Sequence, residues 1–214
     1  MIQDISVMIQ QGKAKEIKEK VQAALDAGYD VKAILEEGLI AGMSIVGARF
    51  KNNEIFVPQV LISARAMNWA LEVVKPYLNN AGIEPIGKAL IGTVRGDLHD
   101  IGKNLVKMML EGQGIACIDL GVDVREEQIV EAVHLHHPDI ICLSALLTTT
   151  MLAQKSTIEA LKEASLRDGV WVMVGGAPVT QEYAKAIGAD FYSVDAASAA
   201  SGAKEYLMAK RANR

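Results

Sequence analysis

The stretch 88-KALIGTVRGDLHDIGKNLVKMMLEG-112 changes its period half-way. Lys88–Val94 is a short apolar run of the length of a buried strand, whereas Ile101–Glu111 spaces its apolar residues as a helix does. Asp97, His99 and Asp100 lie between them, so a histidine flanked by aspartates sits where a strand gives way to a helix. On its own this histidine has three readings: a helix-capping residue, an acid–base catalyst or a metal ligand.

The same alternation continues downstream. The runs ACIDLG, IICLSA, WVMVGG and FYSV are each followed by a helical pattern, over Glu126–His136, Met151–Arg167, Gln181–Ile187 and Ala196–Ala209. Five strands, each followed by a helix, predict an α/β domain with a five-stranded parallel sheet and right-handed crossovers. The flavodoxin/Rossmann-like order 2-1-3-4-5 is the expected topology, and it opens a ligand crevice beyond the carboxyl ends of strands 1 and 3. Three loops would meet there. One holds Asp97, His99 and Gly102; the second is 144-SALLTTT-150, rich in hydroxyls; the third is 175-GGAP-178, whose paired glycines let a backbone approach closely.

Upstream the pattern is helical only. Val31, Leu35, Leu39, Met43, Val46 and Phe50 recur in steps of three and four, with Asp30 ahead of them as N-cap. Ile2–Gln11, Lys13–Ala27 and Val57–Leu78 supply three more helices, and Pro58 suits the first turn of the last one. Short turns between four helices predict an antiparallel bundle. The segment 79-NNAGIEPIGK-88 has the composition of a linker. The expected organisation is therefore a helical bundle over 1–80, a hinge over 81–88 and the α/β domain over 89–214.

Composition narrows the function. Half of the 214 residues are hydrophobic, enough for sizeable cores, and the net charge of -4 leaves no basic surplus for nucleic acid. The two cysteines, Cys117 and Cys142, fall inside apolar runs and read as buried free thiols. With no apolar run of about 20 residues and no signal-peptide pattern at the N-terminus, a cytoplasmic protein without membrane contact is expected. The cluster 134-HLHH-137 precedes Pro138 at a helix end, where cationic side chains suit the helix dipole.

The three loops also share a spacing. Asp97-Leu98-His99-Asp100-Ile101-Gly102 is followed by residues 103–143, then Ser144-Ala145-Leu146, then residues 147–174, then Gly175-Gly176. This resembles the signature of cobalamin-binding proteins in which a protein histidine displaces the nucleotide base from cobalt. The helical half is similar to the cap-bearing bundle of methionine synthase and of corrinoid proteins in methyltransferase systems. A chain of these two modules alone resembles the corrinoid protein of a multi-component system.

The resemblance implies a role for each matching residue. His99 would ligate cobalt from below, with Asp97 accepting its other N–H and the Thr150 hydroxyl completing the relay. These three form the catalytic set. A reversible ligand suits imidazole, which exchanges a proton near neutral pH. Ser144, Leu146 and Thr148 would line the slot for the nucleotide tail from one side, and Gly175, Gly176 and Ala177 from another. Phe191, Tyr192 and Ala196 would lie towards its end. Gly102 would leave room for the tail, with Asp100 and Ile101 beside the cofactor and Asp100 also starting the helix. Phe50, Phe56, Val57 and Val60 would cover the upper face of the corrin.

The implied function is a methyl carrier. It would accept a methyl group on Co(I) from a substrate-specific methyltransferase and deliver it to a second methyltransferase, acting on tetrahydrofolate or a thiol. The methyl donor would be a methoxyaromatic (O-demethylation), methanol, a methylamine or betaine. A reductive activator would be a further partner, and the carrier would not be a self-sufficient enzyme. Three alternatives remain at this point: a sensory module that binds cobalamin, the small subunit of a cobalamin mutase, and a flavodoxin-like domain for another phosphate-bearing ligand.

Overall fold

The computed structural model of the chain describes residues 1–212. It divides into two compact units, one of Met1–Pro85 with Gly112–Gly114, the other from Ile86 onward without those three residues. The first is all helical: α1 (Ile2–Gln11), α2 (Ala14–Asp26), α3 (residues 31–51) and α4 (Val57–Asn80). Its core is formed by Ile5, Ile9, Ile17, Val21, Met43, Val60, Met67 and Val74, all essentially inaccessible to solvent. Burial of each such side chain contributes on the order of 1.5–3 kcal/mol.

Helix α3 departs from the expected stripe, and the reason is local. Asp30 caps it by accepting the N–H groups of Lys32 and Ala33, as its composition suggests. Residues Ile34–Ile40, however, form a π-helical stretch. A wider turn places Ile34 and Leu39, five residues apart, on one face. Both are fully buried while Leu35 is only half-buried. Gly38 and Gly42 stand on the same side against α1. A Cβ at Gly42 would meet the Ser6 carbonyl at 2.8 Å, so the two helix backbones approach closely there.

The second unit is built on five parallel strands: β1 (Lys88–Thr93), β2 (Ala116–Asp119), β3 (Ile140–Ser144), β4 (Trp171–Gly175) and β5 (Phe191–Tyr192). Their order is β2-β1-β3-β4-β5, as expected from the alternating pattern. Thr93 of β1 lies opposite Ser144 of β3, which in turn lies opposite Gly175 of β4, so three strands end level. The connecting helices are α5 (Ile101–Glu111), α6 (Glu126–His136), α7 (Leu152–Glu163) and α8 (Gln181–Ile187), with α9 (Ala196–Ala212) last. Leu90, Ile141, Leu143, Val172 and Val174 pack on one side with Ile129, Val133, Ile158 and Leu161 of α6 and α7. Alternate strand residues, such as Ile91 and Cys142, face the other side, where α5 and α9 pack together.

Two elements fall well short of the periodic pattern. The helix expected to reach Arg167 stops at Glu163, because Ser165 adopts a left-handed conformation and the Leu166 N–H turns back to the Leu161 carbonyl. The FYSV run keeps only two strand residues, since β5 pairs with β4 alone over Phe191 and Tyr192. Beyond them Asp195 accepts from the Ser198 N–H and hydroxyl and starts α9. Among the described residues no helix is long and apolar enough to cross a membrane.

Candidate functional site

The loop from β1 to α5 is held from several directions. Gly96, in a left-handed conformation, donates its N–H to the Asp123 carboxylate at 2.7 Å, and the Asp123 N–H donates to the Asp97 carbonyl at 2.9 Å. The buried hydroxyl of Thr93 donates to the His99 carbonyl at 2.9 Å. These contacts fix the backbone on both sides of the histidine. Neither Thr93 nor Asp123 is singled out by the sequence motif, since their roles depend on the loop's shape and not on their type.

Asp97 is the hub. Its carboxylate is fully buried and accepts four hydrogen bonds. Oδ1 receives the His99 N–H at 3.0 Å and the His99 ring Nδ1 at 2.7 Å. Oδ2 receives the Leu146 N–H at 2.7 Å and the Thr150 hydroxyl at 2.6 Å. Burial pushes this carboxyl upward, but the bonds from Thr150, Leu146 and His99 outweigh it and hold Asp97 well below the usual carboxylate range. It is therefore an anion at neutral pH. An anionic acceptor fixes the proton on Nδ1, which leaves the Nε2 lone pair for a ligand. Among the described residues nothing bonds Nε2, and the His99 side chain is 53% exposed.

The structure brings Asp97, His99, Leu146 and Thr150 together at the carboxyl edge of the sheet. Thr148, two residues before Thr150, is exposed and takes no part in this cluster. Ser144 ends β3, and its carbonyl accepts the Val94 N–H across the β1–β3 junction. Asp100 accepts from the Asn104 side chain and, through its carbonyl, from the Asn104 N–H, so it belongs to the first turn of α5. Ile101 and Leu98 are more than two-thirds exposed beside His99.

The glycines separate into two kinds. At Gly176 the backbone is left-handed, and a Cβ would overlap the Ala145 carbonyl oxygen, so the fold itself demands glycine. At Gly102 a Cβ would meet nothing within 4 Å, and the conformation is one any residue adopts. Glycine there weakens the start of α5 without serving this chain's own packing. Gly175 lies between these cases, with a Cβ at 3.4 Å from the Ser193 carbonyl, and Ala177 is exposed.

The remaining candidates are dispersed. Ala196 is buried at the start of α9, and Tyr192 packs against the α6–α7 core. The Phe191 ring sits 5.1 Å from that of Trp171 and against Gly202. In the helical unit Phe56 is 63% exposed, Phe50 and Val57 are half-buried, and Val60 is a core residue. On α5, a buried Lys103 places its ammonium 2.7 and 2.8 Å from the two Asp119 carboxylate oxygens and 2.7 Å from Asn104 Oδ1. The motif alone gives no sign of this ion pair, because Asp119 belongs to another strand.

Comparison with known proteins points in the same direction. The B12 binding domain family matches residues 87–203, and a second B12 binding domain family matches residues 1–75. The chain is 44% identical to trimethylamine corrinoid protein 1 of Methanosarcina acetivorans over 192 residues, 89% of each chain. The chain belongs to the B12-binding corrinoid proteins. A corrinoid protein of Desulfitobacterium hafniense is 40% identical to it over 97% of both chains. Among solved structures, the methanol:cobalamin methyltransferase complex of Methanosarcina barkeri superposes with a TM-score of 0.86 at 32% identity, covering 97% of this chain and 79% of that one.

Cobalamin is thus the cofactor of this corrinoid protein. The residues fit such a group. Among the described residues no cluster of three or more His, Cys, Asp or Glu could hold a bare metal ion. One exposed histidine with a fixed tautomer suits a metal that arrives already held in a ring, and the open space at Gly102 leaves room beside it.

Proposed function

We propose that this corrinoid protein is a methyl carrier in which His99 would supply the protein ligand to cobalt. It would take the methyl group from a substrate-specific methyltransferase and hand it to a second one. The methylamine and methanol systems named for its relatives make a methylamine or methanol the first donor class to test, ahead of betaine or a methoxyaromatic (O-demethylation). A tetrahydrofolate or thiol acceptor and a reductive activator complete the proposed cycle.

When bound, the cofactor supplies a cobalt that takes up and gives away the methyl group. The chain's own part is to hold the proton on Nδ1 of His99 and so present Nε2. With the imidazole neutral, Nδ1–H is engaged by Asp97 and Nε2 is free to act as ligand. The Asp97 anion beside Nδ1 holds the ring in that tautomer and orientation, so that Nε2 would be the atom offered to cobalt. The Thr150 hydroxyl and Leu146 N–H keep that anion oriented through Oδ2. Ser144, Leu146 and Thr148 on one side, and Gly175, Gly176 and Ala177 on the other, are assigned to the nucleotide tail.

The observation that carries the reading is the continuous bond path from His99 through Asp97 to Thr150. The test is spectroscopic. The protein loaded with cobalamin should show base-off absorption, and in the Co(II) state its paramagnetic resonance should change on labelling histidine with ¹⁵N. His99→Ala should retain the corrinoid but lose that isotope effect. A variant with the parent spectrum would rule out His99 as ligand.

A further inference from the structure

We infer that Gln154 is a positioning residue that sets the separation of the β3 and β4 ends flanking the slot assigned to the nucleotide tail. The inference rests on the cobalamin reading given above. Gln154 lies in the first turn of α7 and is fully buried. Its Nε2 donates to the Leu143 carbonyl at 3.0 Å and to the Gly175 carbonyl at 3.1 Å. These carbonyls belong to neighbouring strands at their carboxyl ends, one residue before Ser144 and one before Gly176. One amide group therefore ties together the two strand ends from which the proposed slot loops depart.

The loops are in close contact just beyond this point. Ala145 donates its N–H to the same Gly175 carbonyl at 3.2 Å, and the Gly176 backbone lies against the Ala145 carbonyl so tightly that no Cβ fits. A small change in strand separation there would shift Ser144 and Gly176 together. The Oε1 atom of Gln154 is buried and has no hydrogen-bond partner among the described residues. An unpaired buried acceptor opposes folding, and an apolar side chain of similar length would avoid it. The geometry therefore favours a role for the amide in fixing spacing over a role in stability alone.

Gln154→Met keeps length and volume but removes the two donated bonds. The experiment compares binding of cobalamin with that of cobinamide, the same ring system without a nucleotide tail, by absorbance titration of the full chain. The Met variant should bind cobinamide within about twofold of the parent and cobalamin about tenfold more weakly, which corresponds to about 1.4 kcal/mol. Thermal unfolding of the unloaded protein should shift little. A purely structural residue would weaken both ligands alike or neither, and either result overturns the inference. Should the parent fail to prefer cobalamin over cobinamide, the tail slot itself is wrong, and Gln154 falls with it. Gln154→Leu, which likewise removes both donated bonds without adding a charge, provides the same comparison if the Met variant does not fold. If neither folds, Gln154 is a structural residue and the assignment is rejected.

Discussion

Thr150 donates its hydroxyl proton to Asp97 across 2.6 Å, although the two residues are 53 positions apart and on different loops. With the Leu146 N–H it occupies one carboxylate oxygen, leaving the other to His99. The result is an anion held in a dry site with every bond used to orient a single imidazole.

Asp97→Asn should therefore be costly. Four donors would face an amide whose nitrogen can accept none of them, so buried groups would lose partners. A loss of about 2–4 kcal/mol in folding free energy is expected, read from urea denaturation of the unloaded chain. Thr150→Val, which removes one bond, should cost less, about 1–2 kcal/mol, by the same measurement.

The acid side of the stability profile should report the same carboxylate. Asp97 is held below the usual range in the folded chain, so between the two values the unfolded state binds the extra proton. Its stabilisation is complete above about pH 4, the ordinary aspartate value, and drains away as pH falls towards the folded one. Denaturation midpoints measured from neutral pH down to about pH 3 should fall less steeply in Asp97→Asn than in the parent. Equal slopes would mean that Asp97 is not the titrating group.

The two glycines of the motif should behave oppositely. Gly102→Ala meets open space and improves the helix, so it should leave the unloaded protein as stable as the parent or up to about 1 kcal/mol more so. Cobalamin affinity should nevertheless fall. Gly176→Ala forces a side chain onto the Ala145 carbonyl from a left-handed backbone and should destabilise by at least about 2 kcal/mol even without cofactor. Thermal melts and cobalamin titration of both variants check the pair, and a destabilised Gly102→Ala would contradict the reading.

Neither thiol should be reactive in the folded state. Burial pushes Cys142 up to about 12, and burial with the neighbouring Glu111 carboxyl also raises Cys117. Iodoacetamide at neutral pH should label both only after denaturant is added, as judged by intact mass. Rapid labelling of the native chain would show that the α/β unit opens locally.

Much of this is already local in the chain. The alternation of KALIGTV-like runs with helical stripes announces a parallel sheet, because each element's period is set by residues a few positions apart. The motif spacing announces which loops share an edge. Asp30 and the first turn of α4 at Pro58 are equally local. The π-helical stretch of α3 was not legible in this way, because the step from Ile34 to Leu39 depends on the packing of α1 against Gly38 and Gly42. The two-residue length of β5 likewise depends on having β4 as its only partner strand in the sheet.

The site divides along the same line. By itself the sequence determined that an aspartate, a histidine and a glycine share one strand–helix junction, and that a hydroxyl-rich loop follows strand 3. Local chemistry does not separate Thr148, Thr149 and Thr150, and only the family resemblance singled out Thr150 for the relay. Only the tertiary structure decided that Thr150 reaches the carboxylate, that Leu146 contributes its backbone N–H, and that Asp119 neutralises the buried Lys103. It alone placed the Gln154 amide across two strand ends. The physical reason is distance along the chain. Local period selects helix or strand, whereas which polar groups satisfy one another in a dry interior is settled when separate loops are packed together and each buried donor must find an acceptor.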